Sequence, residues 1–207
     1  EASLKALGVD QLRTFHRGHY RPDNAVLIVV GDVTLPTLRP LVERRFGTWK
    51  ADGPAAPPFP VRASPQPAKR QIYVVDKPGA AQSQIRIGLV GVPRSTPDYI
   101  ALDVWNTILG GSFTSRLNSN LREKNGYSYG AMSRFDMRRA AGPFFATAGV
   151  QTDKTAEALK EFFNELNGMA RPIPADELDK AKNYAALSFA GEFETTGQLA
   201  VKLEEIA

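Results

Sequence analysis

Cysteine is absent from this chain, and histidine occurs only at positions 16 and 19. The absence of cysteine excludes disulfides, thiolate zinc sites and cysteine nucleophiles. It does not indicate a compartment, because a secreted or periplasmic protein can also lack cysteine. The longest apolar run, residues 25–30, is far shorter than the ~18–20 residues that a membrane span needs. We therefore expect no membrane span.

A strong excess of charge of either sign is missing as well. The net charge is +4 over 207 residues, and the basic side chains are scattered among acidic ones. This pattern lacks the clustered basic surface that is typical of nucleic-acid binding, so we expect no nucleic-acid partner. With 43% hydrophobic residues, the chain is long enough to bury a core in one or two globular domains.

Composition divides the chain into three segments. Residues 1–50 are predicted to form helix, strand, helix, with the apolar run 25–30 as a strand buried on both faces. Residues 51–70 contain six prolines and are predicted to be a semi-rigid linker. Residues 71–207 begin with a short predicted strand, Ile72–Val75. The start in helix-like sequence and the last helix without a stop signal suggest a piece of a longer precursor.

Periodicity in the third segment predicts an α+β fold. Alternating apolar residues predict a strand over residues 84–91, and further strands are predicted near residues 129–136 and 144–151. Several amphipathic helices lie before and after these strands. Meandering strands followed by paired helices indicate an antiparallel-rich sheet with helices packed on one face.

The two histidines do not form a recognisable zinc motif. A catalytic zinc ion typically has three protein ligands, often His, His and Glu. The pair His16 and His19 has neither a carboxylate between the imidazoles nor the spacing of H-E-x-x-H or H-x-x-E-H. The simpler expectation is a helix end, with His19 near the last carbonyl groups and His16 facing solvent. No metal or other cofactor is expected in this segment.

Nucleophilic catalysis is not indicated either, because the chain has no G-x-S-x-G motif and no histidine near a glycine-flanked serine. One glycine-rich turn, Gly110-Gly111-Ser112, precedes a predicted helix, where backbone N–H groups can bind an anion. The alternative is a plain glycine turn that joins two helices.

Arg122 and Tyr129 are the remaining candidates. The predicted helix ends near Lys124, a turn follows at Gly126, and a strand begins near Tyr129, so the cation and the phenol flank the turn. Such a pair can direct two hydrogen-bond donors at one carbonyl oxygen and stabilise an oxyanion. The alternative is structural: a solvated arginine paired with Glu123, and a tyrosine whose ring lies in the core.

Three passages of the chain resemble the insulinase/pitrilysin-type zinc peptidases, the family that includes mitochondrial processing peptidase. The family has a helix–turn–strand passage between its repeated domains, and this passage is similar to residues 15–33, FHRGHYRPDNAVLIVVGDV. Its small-residue turn, followed by S-R-L and L-R-E-K-x-G-x-x-Y, is similar to LGGSFTSRLNSNLREKNGYSYG, residues 109–130. Its late helix is similar to ELDKAKN, residues 177–183. The passages occur in the family's order, and the chain resembles the half of these enzymes that lacks the zinc motif.

This resemblance implies a function that the chain performs together with another domain. In the family, similar domains repeat in pairs and close around an unfolded peptide, and one domain carries H-x-x-E-H, which this chain lacks. The opposite half supplies an arginine and a tyrosine that correspond to Arg122 and Tyr129. These residues would hold the substrate backbone and help to polarise the scissile carbonyl. The turn Gly110-Gly111-Ser112 would bind substrate as well.

The zinc ion of the full enzyme would be held by a partner domain or subunit that bears H-x-x-E-H. The implied partners are that domain and a peptide substrate, in a homo- or heterodimer. Three functions stay open: a substrate-binding part of a zinc metallopeptidase, a non-proteolytic scaffold like the respiratory-chain core subunits of this fold, and a generic binding module. Because Arg122 and Tyr129 are both present, the first is favoured over the second.

The resemblance also implies that the chain crosses a boundary between repeats. Residues 1–50 would be the end of the preceding repeat, and residues 71–207 the first part of the non-zinc repeat. Because the repeats are similar, we expect residues 1–50 to dock where the second half of the later repeat would lie, with the strand at 25–30 paired into its sheet.

Overall fold

The structure is a computed structural model that describes residues 2–206, and these residues form two compact units. One unit comprises residues 2–60 together with 189–206, and the other comprises residues 61–188. The second unit contains the whole of the passage 109–130. The predicted division into repeats, at residues 50 and 70, stays a prediction.

The N-terminal part of the first unit is helical. It contains α1 (Ala2–Lys5), α2 (Val9–His19) and α3 (Leu35–Phe46). The proline-rich segment packs on the end of α2. There the N–H of Ala56 donates to the carbonyl of Gly18 at 3.0 Å, and the buried Arg21 side chain donates to the carbonyl of Gly53 at 2.7 Å.

Two predicted strands are not formed among the described residues. Residues 25–30 belong to no sheet, and the side chains of Val26 and Leu27 are exposed. Residues 72–75 also form no strand and are all more than three-quarters exposed. Both strand predictions are therefore wrong for this chain. An apolar run shows a preference for a sheet, but a strand forms only where a neighbour accepts and donates its hydrogen bonds. The docking hypothesis thus loses the strand pairing on which it rested.

A three-stranded antiparallel sheet forms the centre of the second unit. Its strands are β1 (Gln82–Val90), β2 (Ser128–Phe135) and β3 (Pro143–Gln151), in the order β1-β3-β2. Each strand agrees with the prediction to within two residues. Along β3, buried residues alternate with more exposed ones, as expected for a sheet with one covered face.

Helices cover that face of the sheet. They are α4 (Tyr99–Asn106), α5 (Arg116–Asn118) and α6 (Thr155–Gly168), and α7 (Ala175–Gly191) contributes Ala181 to the same core. Two of them continue into a π-helical turn, which is Thr107–Gly111 after α4 and Ser119–Lys124 after α5. π-Helical turns are rare in proteins, and those that occur are often found at functional sites.

The core lies between these helices and the sheet. Its most buried members are Leu109, Leu117 and Leu121 from the helical passage, Val150 from β3 and Phe162 from α6. Burial of side chains of this size contributes roughly 1.5–3 kcal/mol each, which holds the passage 109–124 against the sheet. The predicted fold class, α+β with an antiparallel sheet and helices packed on one face, is confirmed.

The last helix, α8 (Thr196–Glu204), belongs to the first unit. Its N-terminus is capped by Thr195, whose hydroxyl accepts a hydrogen bond from the N–H of Gln198 at 3.2 Å. Within residues 2–206, every helix is too short or too polar to span a membrane.

Candidate functional site

The helical segment that carries Arg122 ends at a glycine turn, as predicted. Gly126 has a φ of +63°, in the left-handed region that favours glycine. Its N–H donates to the carbonyl of Arg122 at 3.1 Å, and the N–H of Tyr127 donates to the carbonyl of Leu121 at 2.8 Å. These two hydrogen bonds close the π-helical turn and lead the chain directly into β2, where Tyr129 is the second residue.

The guanidinium of Arg122 lies between two aromatic rings. Its central carbon is 4.3 Å from the ring centre of Phe113 and 5.3 Å from that of Tyr129. A cation within about 6 Å of a ring centre is attracted by the negative face of the ring. Sequence reasoning missed Phe113, although this residue lies in the glycine-rich passage, because only the fold brings it to Arg122.

Tyr129 faces solvent rather than the core. Its side chain is 87% exposed, so the alternative of a buried ring is wrong. The other half of that alternative is confirmed only for the pairing. Nε of Arg122 lies 3.2 Å from a carboxylate oxygen of Glu123, but the Arg122 side chain is 29% exposed and is not a freely solvated arginine. Within residues 2–206 the hydroxyl of Tyr129 makes no hydrogen bond. The structure therefore brings the predicted cation and phenol together and leaves the phenol free to donate.

The glycine-rich turn lies against the edge strand β2. Gly110 is buried there, and a Cβ atom on it would come within 2.4 Å of the backbone nitrogen of Ser133. Gly111 is exposed, whereas Ser112 is partly buried and donates from its hydroxyl to the carbonyl of Thr107 at 3.2 Å. Gly110 thus permits the close approach of turn and strand, and the two residues after it reach the surface.

Two polar contacts anchor the segment between the turn and Arg122. Nε of Arg116 donates to Glu177 of α7 at 3.0 Å, and this hydrogen bond raises the pKa of Arg116 above its usual value. Asn120 donates to Glu161 of α6 at 2.9 Å. Hydrogen bonds to Glu161 from Asn120 and then from Asn164 lower the pKa of its carboxyl group. The segment is therefore held on both α6 and α7.

The described residues do not fit a zinc ion. No group of three or more His, Cys, Asp or Glu side chains in residues 2–206 is arranged to hold a metal. His16 is exposed, as predicted, and its ring stacks on Tyr20 with 5.0 Å between the ring centres. His19 stacks on Phe59 at 4.9 Å. Both imidazoles therefore pack against aromatic rings.

The fold and the passage 109–130 together define an α+β domain of the zinc-peptidase class. Residues 6–184 match the sequence profile described as the peptidase M16 inactive domain, and the chain belongs to this family. The family resemblance predicted from the sequence is thereby confirmed.

Named relatives support the same assignment. The chain is 29% identical over 201 residues to an uncharacterized zinc protease of Streptomyces coelicolor, and the match covers 95% of this chain and 44% of that protein. A solved protease from Helicobacter pylori superposes with a TM-score of 0.85 at 28% identity, over 95% of this chain and 48% of that one. The peptidase M16 inactive domain from Pseudomonas fluorescens gives 0.81 at 27% identity, over 96% and 46%. The chain thus spans less than half the length of these relatives.

Proposed function

We propose that this chain is the substrate-binding, non-catalytic part of a zinc metalloendopeptidase. In this proposal, Arg122 and Tyr129 donate hydrogen bonds to a carbonyl group of a peptide held at a zinc site in another domain or subunit. The observation that supports the proposal best is the 5.3 Å contact between the Arg122 guanidinium and the ring of an exposed Tyr129.

The chemistry of the pair suits this role. A guanidinium keeps its charge at all working pH values and carries five N–H donors, and a neutral phenol adds one O–H donor. Two fixed donors aimed at a carbonyl oxygen favour the negative charge that develops there during hydrolysis of an amide bond. The rings of Phe113 and Tyr129 restrict the guanidinium, so little side-chain freedom is lost when the substrate binds.

The glycine-rich turn is the second part of the proposed peptide site. Gly111 and Ser112 reach the surface close to Phe113, which is the other ring on the guanidinium of Arg122. Gly110 contributes to this site through the backbone, because it lets the turn lie directly on β2. A peptide that contacts Arg122 and Phe113 would therefore pass along this turn.

The zinc ion and its bound water would belong to the partner that carries H-x-x-E-H, in the same polypeptide or in a separate subunit. The names of the relatives support a zinc-dependent whole protein. A homo- or heterodimer is a further part of the proposal. On this chain, the proposed task is limited to binding the peptide, orienting its carbonyl and stabilising the developing charge.

The test measures peptide cleavage by the protein that contains both this chain and the zinc motif. Arg122→Ala and Tyr129→Phe are each expected to lower kcat by roughly 10²-fold or more, the usual scale for the loss of one oxyanion donor. Zinc content is expected to stay unchanged, because neither residue is a ligand in this proposal.

Arg94 and Tyr99 supply the matched control, since they form a cation–ring contact of 3.5 Å in the same unit. Arg94→Ala and Tyr99→Phe are expected to leave kcat within about twofold of the parent, because these residues have no part in the proposed site. Unchanged turnover in Arg122→Ala and Tyr129→Phe would contradict the proposal. A parent protein that cleaves no peptide would favour a non-proteolytic scaffold instead.

A further inference from the structure

The strand that presents Tyr129 carries a β-bulge at this residue. Ser128 pairs with Val150 and Ala131 pairs with Ala148, so two residues of β2, Tyr129 and Gly130, stand opposite a single residue of β3. In a regular strand, residues three positions apart face opposite sides. Here the extra residue turns both Ser128 and Ala131 into the core. Bulges of this kind change the direction of a side chain and are frequent beside active sites.

Ser128 holds the bulge from its N-terminal side. Its buried hydroxyl lies 2.7 Å from the carbonyl oxygen of Gly130 and 2.8 Å from that of Gly149, and it accepts the N–H of Gly130 at 3.1 Å. A hydroxyl has one proton to donate and two lone pairs, so it bonds one of these carbonyls at a time. When its proton goes to the carbonyl of Gly130, Ser128 binds both polar groups of the residue that follows Tyr129.

Asn118 holds the bulge from its C-terminal side. Its buried amide accepts the N–H of Ala131 at 2.9 Å and donates to the carbonyl of Ala131 at 2.8 Å, as a neighbouring strand would do. The same amide lies 3.2 Å from the carbonyl oxygen of Ser112 and from the hydroxyl of Ser115. Asn118 thus joins the glycine-rich turn to the edge of β2.

These contacts hold the backbone next to Tyr129, whereas the Tyr129 side chain itself stays exposed. The phenol is consequently held by its backbone and by its contact with Arg122. We propose that Asn118 and Ser128 are positioning residues that keep the bulge in place and so hold the Tyr129 hydroxyl beside Arg122 for the substrate carbonyl. This inference rests on the proposed function of Arg122 and Tyr129.

The test is a double-mutant cycle in the protein that also contains the zinc motif, because a cycle separates a coupled effect from a general loss of stability. Ser128→Ala and Asn118→Ala are each expected to lower kcat/KM about 10- to 100-fold, the scale of a misplacement of about 1 Å. In the Tyr129→Phe background, most of this loss is expected to vanish, because the hydroxyl that they position is already absent.

Asn120 is the matched control. It is a buried asparagine of the same helical segment, but its amide donates to Glu161 and Glu165 of α6 instead of to β2. Asn120→Ala is expected to have the same effect on kcat/KM with and without Tyr129→Phe. Equal losses in both backgrounds for Ser128→Ala and Asn118→Ala would overturn the inference.

A second measurement does not depend on activity. Nuclear magnetic resonance of arginine-labelled protein reports the ring-current shift that the Tyr129 ring imposes on the side chain of Arg122. Ser128→Ala and Asn118→Ala are expected to move this shift toward the value in Tyr129→Ala, and Asn120→Ala is expected to leave it unchanged. If Tyr129→Phe leaves turnover intact, the proposed function fails, and the shift alone decides the positioning role. An unchanged shift in Ser128→Ala and Asn118→Ala would overturn that role too.

Discussion

Arg116, at the start of α5, is ion-paired with Glu177, 61 residues further along the chain near the start of α7. Nε and Nη2 of the guanidinium both donate to the carboxylate, in a two-pronged contact. Arg116 is the arginine of the S-R-L motif, and Glu177 begins the passage that resembles the family's late helix. Two of the three passages that carried the resemblance therefore meet in one contact.

Loss of this ion pair is expected to weaken the fold. Arg116→Ala should lower the free energy of unfolding by about 1–3 kcal/mol, since it leaves a partly buried carboxylate without its donors. Because Glu177 keeps some exposure to water, we expect the lower half of that range. Urea unfolding measures the change. Lys154→Ala, which removes a 3.8 Å pair with Glu157 on the surface, should cost less than about 0.5 kcal/mol. Equal costs for the two variants would contradict this prediction.

Glycine is required at position 110 because of its neighbours in β2. A Cβ atom there would lie 2.4 Å from the nitrogen and 2.6 Å from the hydroxyl oxygen of Ser133, so Gly110→Ala should cost about 1–3 kcal/mol or more. At Gly168, in the last turn of α6, the nearest atom to a Cβ is a nitrogen of Arg116 at 3.5 Å. Gly168→Ala should therefore be neutral or stabilising by up to about 1 kcal/mol. Thermal unfolding of the two variants checks the contrast, and a neutral Gly110→Ala would refute it.

Backbone conformation, rather than space, requires glycine at position 126. A Cβ atom there would meet nothing within 4 Å, but φ is +63°. Gly126→Ala should cost about 1–2 kcal/mol, and Gly126→Asn should cost less, since asparagine adopts the left-handed region more readily. Chemical unfolding gives both values. If alanine and asparagine are equally costly, the strain is not the cause.

Asn120 should control the acidity of Glu161. Its hydrogen bond is the largest cause of the lowered pKa of that carboxyl, so Asn120→Ala should raise the pKa of Glu161 toward its usual value. Since the folded-state pKa is lowered, the resulting stabilisation is present above the unfolded value of about 4.3 and is lost as the pH falls through the folded value.

The stability difference between parent and Asn120→Ala should accordingly be larger at neutral pH than at a pH below the folded-state pKa of Glu161, where the carboxyl is protonated. A titration of the Glu161 side chain by nuclear magnetic resonance measures the pKa directly. Asn164→Ala is the comparison, because its smaller effect on Glu161 predicts a smaller rise. An unshifted pKa in Asn120→Ala would contradict the assignment.

Local sequence signals predicted much of the second unit correctly. The first strand of the sheet was predicted from alternation of apolar residues, and the other two strands were predicted close to their observed bounds. The turn at Gly126 was predicted from its glycine between a helix and a strand. Both signals depend on residues that are close in sequence, so they indicate local structure without knowledge of the tertiary fold. The predicted strands at residues 25–30 and 72–75 failed because a strand also needs a partner, and no apolar pattern says where that partner lies.

The candidate site was predicted only in part, because some of its features depend on contacts that local sequence signals do not indicate. The spacing of Arg122 and Tyr129 around Gly126 was enough to place them side by side. The exposure of Tyr129 was not predictable, because it depends on the register against β3. Phe113 and Asn118 were missed because no periodic pattern or motif indicates their contacts with Arg122 and Ala131.

By itself, the sequence determined the family, the α+β class and the positions of the three strands that form the sheet, since periodicity and short motifs act through local geometry. Only the tertiary structure decided that Tyr129 points to solvent and that two rings enclose Arg122. The contacts of Asn118 with both the glycine-rich turn and β2 were likewise decided by the tertiary structure alone. These features arise from one extra residue in a strand and from side chains that meet across the fold, and neither leaves a periodic trace in the sequence.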